Sequence, residues 1–259
     1  MICKICNSRM REAFRRNVLR QYEVQYWHCG ACGFLQTEAP YWLEHAYSSA
    51  IVSADTGILE RNTYLANVAA ATFWRLFRGK GRFLDLAGGY GLLTRLMRDV
   101  GFDYHWTDPH ATNLFARGFE GKDLDEPYVA VTAFEVLEHV HDPLGFLADA
   151  LRKYGARTLL ISTQTYSGAI PDPDKWWYYT FETGQHVSFY TGTALSLIAR
   201  KLGLCFHSSG FVHMWTDHRI SDWAFRAIAR PKVAAFLARV PKSVMKSRIW
   251  SDHDALIRS

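Results

Sequence analysis

Residues 83–86, Phe83-Leu84-Asp85-Leu86, form a short apolar run, followed at once by Ala87-Gly88-Gly89-Tyr90-Gly91 and an amphipathic stretch over residues 92–99. A strand that runs through glycines into a helix leaves few options. Glycines let the backbone turn sharply and approach a ligand, and they leave the first amides of the helix free to bind it. The same rhythm continues along the chain. Strand-like runs fall at 104–107, 129–134 and 158–162, helical patterns at 144–154 and 193–201, and late strands at 204–207 and 211–215. Alternation of this kind predicts an α/β fold: a doubly wound, mostly parallel sheet with helices on both faces.

A different pattern precedes it. Cys3-x-x-Cys6 and Cys29-x-x-Cys32 flank a β-prone stretch, Tyr22-Glu23-Val24-Gln25-Tyr26-Trp27. Each Cys-x-x-Cys turn offers two thiolates from one knuckle, and two knuckles complete a tetrahedral zinc shell. Gly30 and Gly33 supply the small residues such knuckles use. The four cysteines are expected to hold a structural zinc that serves folding and not chemistry. Cys205 stands apart in an apolar run and reads as a core filler. The expected division is a zinc ribbon over 1–39, a helical pre-domain over 40–80, the α/β core over 81–216 and a basic helical segment over 217–259.

Hydrophobic residues make up 49% and charged residues 21% of the 259, a soluble, globular balance. No apolar run approaches the roughly 20 residues of a membrane-spanning helix, and the N-terminus carries no apolar signal segment; the cytoplasm is the expected location. The formal charge of +5 is concentrated in arginines between Arg9 and Arg20 and in a tail from Arg226 to Arg258. Such clusters read first as solvated helix faces, and otherwise as contacts for nucleic acid, a partner or a membrane surface.

The glycine loop allows two cofactors. A dinucleotide fingerprint would need a small residue at position 94, where Thr94 stands. Asp85 upstream and Asp108 after the second strand tip the balance. Asp85-x-Ala87-x-Gly89-x-Gly91 resembles motif I of the class I S-adenosylmethionine-dependent methyltransferases, which have a Rossmann-like fold. Phe134-Glu135-Val136-Leu137-Glu138-His139, with Asp142-Pro143, resembles the segment after their fourth strand. Gly184-Gln185-His186-Val187-Ser188-Phe189-Tyr190 resembles a motif of the small-molecule and sugar-modifying branch, some members of which carry a four-cysteine ribbon. The resemblance spans most of residues 1–215. Ala87 departs from it, standing where the motif has its first glycine.

The resemblance implies S-adenosylmethionine as cofactor. Asp85 would meet its methionine end, and Ala87, Gly88, Gly89 and Gly91 would line it with backbone. Asp108 would take the ribose hydroxyls, with Phe134 alongside and Tyr47 and Tyr64 closing over the methionine end. Asp108 before Pro109 is equally able to cap a helix. The sulfonium methyl is already electrophilic, so the protein must align an acceptor and remove its proton. His186 and His139 are the candidate bases, with Glu135 and Glu138 beside them; His186 is preferred because it lies in a loop. Some quinone O-methyltransferases have a similar Glu-x-x-Glu-His, so Glu135, Glu138 and His139 on one helical face are also candidate ligands of a divalent ion. Trp176, Trp177, Tyr178 and Tyr179 follow the strand at 158–162 and are expected to form a substrate lid with flat faces for sugar rings. The expected acceptor is a small molecule: a sugar, nucleotide-sugar or glycan precursor. Alternatives are an RNA methyltransferase using the ribbon and basic patches, and a non-catalytic binding protein of the same fold. Thr94 and Asp85 disfavour a dehydrogenase.

Overall fold

The computed structural model describes residues 1–47, 55–121 and 127–258. It opens with three antiparallel strands, β1 (Arg11–Val18), β2 (Tyr22–His28) and β3 (Leu35–Thr37). A short helix α1 (Leu43–Ala46) and a long helix α2 (Ile58–Phe77) lead into the α/β part. There the order is β4 (Arg82–Leu86), α3 (Leu92–Val100), β5 (Asp103–Thr107), β6 (Ala130–Phe134), α4 (Pro143–Tyr154) and β7 (Thr158–Ser162). Next come β8 (Thr165–Tyr166), β9 (Ser188–Thr191), α5 (Gly192–Lys201), β10 (Cys205–Ser208) and β11 (Val212–Thr216). Four helices close the chain: α6 (Asp222–Ile228), α7 (Pro231–Leu237), α8 (Arg239–Val244) and α9 (Ile249–Arg258).

The main sheet has the strand order β10-β11-β7-β6-β4-β5. β5, β4, β6 and β7 run parallel, and the β10–β11 hairpin adds antiparallel to β7. This is the expected α/β, mostly parallel sheet. Side chains alternate between its faces with the period of two that strands impose. Phe83, Ala130, Leu160 and Met214 pack with α2, α3 and α6. Leu84, Val131, Leu159 and Trp215 pack with α4 and α5. Helix ends follow local chemistry: Asp142 caps α4 by accepting from the Gly145 amide, with Pro143 in the first turn, and Thr191 caps α5 by accepting from the Ala194 amide.

The ribbon sheet does not end with the ribbon. β3 pairs antiparallel with β9, and β9 pairs parallel with β8, so a second sheet runs β1-β2-β3-β9-β8 across residue 39. An aromatic core fills its inner side, where Tyr26, Trp42, Tyr178, Tyr179 and Phe189 are all buried.

Helices α6 and α7 pack on α2 through Phe225, Ile228 and Ala234, and α9 is held by a buried ion pair. Arg98 donates through Nε and Nη2 to the two oxygens of Asp252, each at 2.7 Å, and both residues are buried. Two parallel charge-assisted bonds fix direction as well as distance. Arg98 Nη1 donates to the Tyr104 carbonyl at 2.8 Å, and its guanidinium lies 3.6 Å over the Phe119 ring. Thus α9 is tied to α3 and β5. Among the described residues no helix is long and apolar enough to cross a membrane.

Candidate active site and zinc centre

The two cysteine knuckles fold alike. The Asn7 amide donates to the Cys3 carbonyl and the Gly33 amide to the Cys29 carbonyl, while the Cys3 and Cys29 amides donate to Ser8 and Phe34 carbonyls. Both knuckles leave through a left-handed residue, Asn7 at φ 63° and Gly33 at φ 73°. Gly33 is required twice over, because a Cβ there would lie 2.5 Å from Thr191 Cγ2. Gly30 meets no such constraint. The geometry brings Cys3, Cys6, Cys29 and Cys32 together, with sulfurs 3.7 Å apart for Cys3–Cys32 and 3.4 Å for Cys6–Cys29. A tetrahedron with Zn–S bonds of about 2.3 Å has edges of about 3.8 Å, so the four sulfurs fit a zinc shell. The adjoining sulfurs of Cys3 and Cys32 share a proton, which lowers the Cys3 thiol and raises that of Cys32.

At the carboxyl end of β4 the chain turns through Ala87 at φ 54°, Gly89 at φ 54° and Gly91 at φ 85°. Gly88 and Gly91 are glycines because of neighbours: a Cβ at Gly88 would meet Asp85 Oδ2 at 2.5 Å, and one at Gly91 would meet Asn113 Oδ1 at 2.8 Å. A Cβ at Gly89 would meet nothing within 4 Å, so that backbone faces open space, as a cofactor cradle requires. Asp108 Oδ2 accepts from the Gly89 amide at 2.9 Å, and Oδ1 accepts from the His110 and Ala111 amides. Asp108 therefore both caps the following turn and braces the loop, and Oδ2 retains accepting capacity. Asp85 is 2% exposed. Its Oδ1 accepts from Thr132 Oγ1 at 2.8 Å, and burial raises its pKa to about 7. Its hydrogen bonds, to Thr132 and Thr94, lie inside the fold, beneath the loop.

Ala87 explains its own departure from the motif. An L-residue in the left-handed region costs roughly 1–2 kcal/mol, and glycine forgoes that cost while losing roughly 0.5–1 kcal/mol to chain entropy. Ala87→Gly is expected to raise Tm by about 1–3 °C; an unchanged or lower Tm in thermal melts would show that the methyl's packing outweighs the strain.

The end of β6 gathers the candidate acid–base residues. Glu135 also adopts a left-handed conformation, φ 55°. Ser162, at the end of the neighbouring strand β7, holds it there. The Glu135 amide donates to Ser162 Oγ at 2.9 Å, and that hydroxyl donates to Glu135 Oε1 at 2.6 Å. Arg61 Nε approaches Glu135 Oε2 at 3.8 Å and pairs bidentately with Asp55. A short 3-10 turn, Leu137–His139, follows and is pinned by β9: Tyr190 Oη donates to the Leu137 carbonyl and the Val187 amide to the Glu138 carbonyl, both at 2.7 Å. Strand β9 thereby sets His186 against His139, with ring centroids 4.9 Å apart.

Glu138, His139 and His186 offer ligand atoms within 4.8 Å of one another. Glu135 is outside this group, committed to Ser162 and Arg61. Glu138 is fully buried; Oε1 accepts from Tyr178 Oη at 2.6 Å and Oε2 has no partner. Burial, reinforced by Glu135, pushes its carboxyl up to about 8. Burial pulls His186 down to about 4, and burial with His186 pulls His139 down to about 3. His186 Nδ1 lies 2.7 Å from the Tyr178 carbonyl, which can only accept, so Nδ1 carries the proton and Nε2 keeps its lone pair. Tyr47 Oη lies 2.9 Å from His139 Nδ1, and the Tyr47 ring stacks at 6.0 Å on His110, two residues beyond Asp108.

The remaining expected residues divide. Phe134 is half-buried against the α2–α3 side of the core. Tyr64 is not brought to the cluster; its hydroxyl donates to the Ala229 carbonyl at 2.7 Å. In the aromatic loop Tyr178 and Tyr179 are 1% exposed and Trp176 packs among them, whereas Trp177 is 73% exposed. Tyr178 reaches the cluster directly, and Tyr179 donates to the Pro171 carbonyl. Ser162, Arg61 and His110 were not expected from the sequence. Only Ser162 left a signal there, as the last residue of a strand beside β6.

Among solved structures the chain is similar to TnmH, at 18% identity and a TM-score of 0.49, over 69% of this chain and 62% of that one. It is similar to SAH-bound CalO1, a methyltransferase in calicheamicin biosynthesis, at 15% identity and a TM-score of 0.41, over 60% and 54%. It is also similar to SAH-bound magnesium protoporphyrin IX methyltransferase from Synechocystis PCC 6803, at 11% identity and a TM-score of 0.41, over 67% and 90%. The chain thus spans less than two thirds of the first two. No curated protein matches it. The methyltransferase-domain family model matches residues 60–208, more than half of the chain and inclusive of the glycine loop, Asp108 and the His139–His186 pair. The chain therefore belongs to the methyltransferase-domain family.

Proposed function

We propose that the protein methylates a small hydroxyl-bearing acceptor, a sugar, nucleotide-sugar or glycan precursor, and that a zinc ion in the four-cysteine centre is structural. The observation that carries this reading is the shared edge. β4 and β6 are neighbours in the sheet, so the loop at Gly89 and the His139–His186 pair open at the same carboxyl ends. We read residues 1–39 as the ribbon, 40–80 as a pre-domain, 81–216 as the catalytic core and 217–259 as an appended helical segment.

Bound S-adenosylmethionine supplies an electrophilic methyl. Gly89 would present open backbone to it, and Asp108, already braced by three amides, would accept from a ribose hydroxyl through Oδ2. His186, its Nε2 lone pair free, takes the acceptor's proton. The resulting imidazolium lies in one cluster with Glu138 and gives the proton up to water as the products leave. Tyr178 positions both groups: its hydroxyl holds Glu138 and its carbonyl fixes the His186 tautomer. Trp177 offers an exposed flat face suited to a sugar ring.

Calorimetric titration of the zinc-loaded protein with S-adenosylmethionine, S-adenosylhomocysteine and NAD tests the cofactor part. Both adenosyl compounds are expected to bind and NAD not to. Asp108→Ala should weaken binding about tenfold to a hundredfold, the worth of one charge-assisted hydrogen bond. NAD binding alone would overturn the assignment. A subsequent methyl-transfer screen, with sugar nucleotides set against RNA at rising salt, decides the acceptor class.

A further inference from the structure

Residues 219–258 hold nine lysines and arginines against three aspartates, so this segment accounts for the basic excess of the whole chain. It also holds more than half of the exposed large apolar side chains among the described residues, between Trp223 and Ile257. The two properties meet on α7 and α8. These helices are joined through Ala238, itself in helical conformation at φ −66° and ψ −13°. At about 100° per residue, Ala234, Ala238 and Pro241 fall on one side and are buried. Phe236, Val240 and Val244 recur every fourth residue on the other side and are 65%, 41% and 64% exposed.

This inverts the usual arrangement, in which the larger apolar residues face the core. Small residues let the helix sit closely on α2, and the bulky residues form a ridge in water. Lys232, Arg239 and Lys242 are exposed along one flank of that ridge. Helix α9 repeats the design. Asp252 faces inward to Arg98, while Trp250 and Ile257 lie roughly opposite it around the helix and are 74% and 71% exposed.

We propose that the outer face of α7, α8 and α9 docks on the surface of an anionic lipid bilayer, with the apolar ridge entering the headgroup boundary and the basic flank meeting lipid phosphates. An apolar stripe edged by lysine and arginine is the chemistry of interfacial helices. A second copy of the chain fits less well, because both copies would bring charge of the same sign to the contact. A phosphate polymer alone would leave the crest of the ridge unused.

Co-sedimentation of the zinc-loaded full chain with phosphatidylcholine vesicles, with and without about a third phosphatidylglycerol, tests this. Binding is expected to the mixed vesicles, weak binding to phosphatidylcholine alone, and partial release by salt. Phe236→Asp with Val240→Asp should weaken binding at least tenfold, the loss expected from one apolar side chain of about 1.5 kcal/mol or more. Lys232→Glu with Lys242→Glu should weaken it about tenfold or more, at roughly 1 kcal/mol per basic residue near an anionic surface. Each exposed-site variant should retain wild-type S-adenosylhomocysteine binding and thermal melt, which separates loss of docking from misfolding. Failure of the wild type to bind the mixed vesicles, or equal binding by wild type and the Phe236→Asp/Val240→Asp variant, would overturn the proposal. So would light scattering that shows a dimer in solution dissolved by the same substitutions.

Discussion

Removing zinc with a chelator, or replacing Cys6 by Ser, is expected to abolish the cooperative folding of β1–β3. Structural zinc contributes roughly 10–16 kcal/mol of apparent binding energy in small zinc-dependent folds, as much as or more than the roughly 5–15 kcal/mol that stabilises a typical domain. Each knuckle closes on one pair of backbone bonds, with Thr191 and Tyr166 donating to the Cys32 and Gly33 carbonyls, and Cys3, Cys29 and Cys32 are buried around the place where the ion would sit. Without the metal, thiols are packed at 3.4–3.7 Å with nothing to bind their lone pairs. The readouts are metal content by mass spectrometry, expected at one equivalent, and amide exchange over β1–β3, expected to rise by orders of magnitude on chelation. A protein purified without zinc whose melt ignores the chelator would end the structural-zinc reading.

His186→Ala is expected to lower kcat by about 10²–10⁴, the usual worth of a positioned base, with S-adenosylmethionine affinity unchanged. Its pH dependence is specific. Burial holds the imidazole at about 4, below the ordinary value near 6.5, so the neutral, proton-accepting form persists well into the acid range. The sign follows: activity is fully present above pH 6.5, stays level to about pH 5, and is lost as pH falls through the folded-state value near 4. Tyr178→Phe should lower kcat less, by freeing Glu138 while keeping the carbonyl that orients His186. Wild-type kcat in His186→Ala would remove the base from His186 and leave His139 to be tested in the same way.

The sheet was legible because its strands are buried on both faces and its helices amphipathic. Phe83-Leu84-Asp85-Leu86 followed by glycines admits little else, and the structure puts β4 and its loop there. The cysteine spacing was legible for a similar reason: chemistry restricts it more than packing does. What stayed hidden depends on register and on long-range pairing. Nothing local in Leu35-Gln36-Thr37 shows that it will bond to Ser188 and Phe189, more than a hundred residues on. Tyr64 fits a lid over the cofactor by position in the chain, but its helical phase turns it to Ala229. The aromatic loop reads as one surface because four rings are adjacent in sequence, yet a 3-10 turn sends Trp177 outward and Tyr178 inward to Glu138.

The pairing of β3 with β9 bears on how such a chain can be shortened or recombined. A ribbon that folded on a sheet of its own could be lost or exchanged by a cut near residue 40. Here that cut would strip β9 of its antiparallel neighbour and leave the backbone of Ser188 and Phe189 as a bare, apolar sheet edge, the kind that invites pairing with other chains. The four-cysteine segment is in this sense the cap of a strand that belongs to the α/β part of the chain.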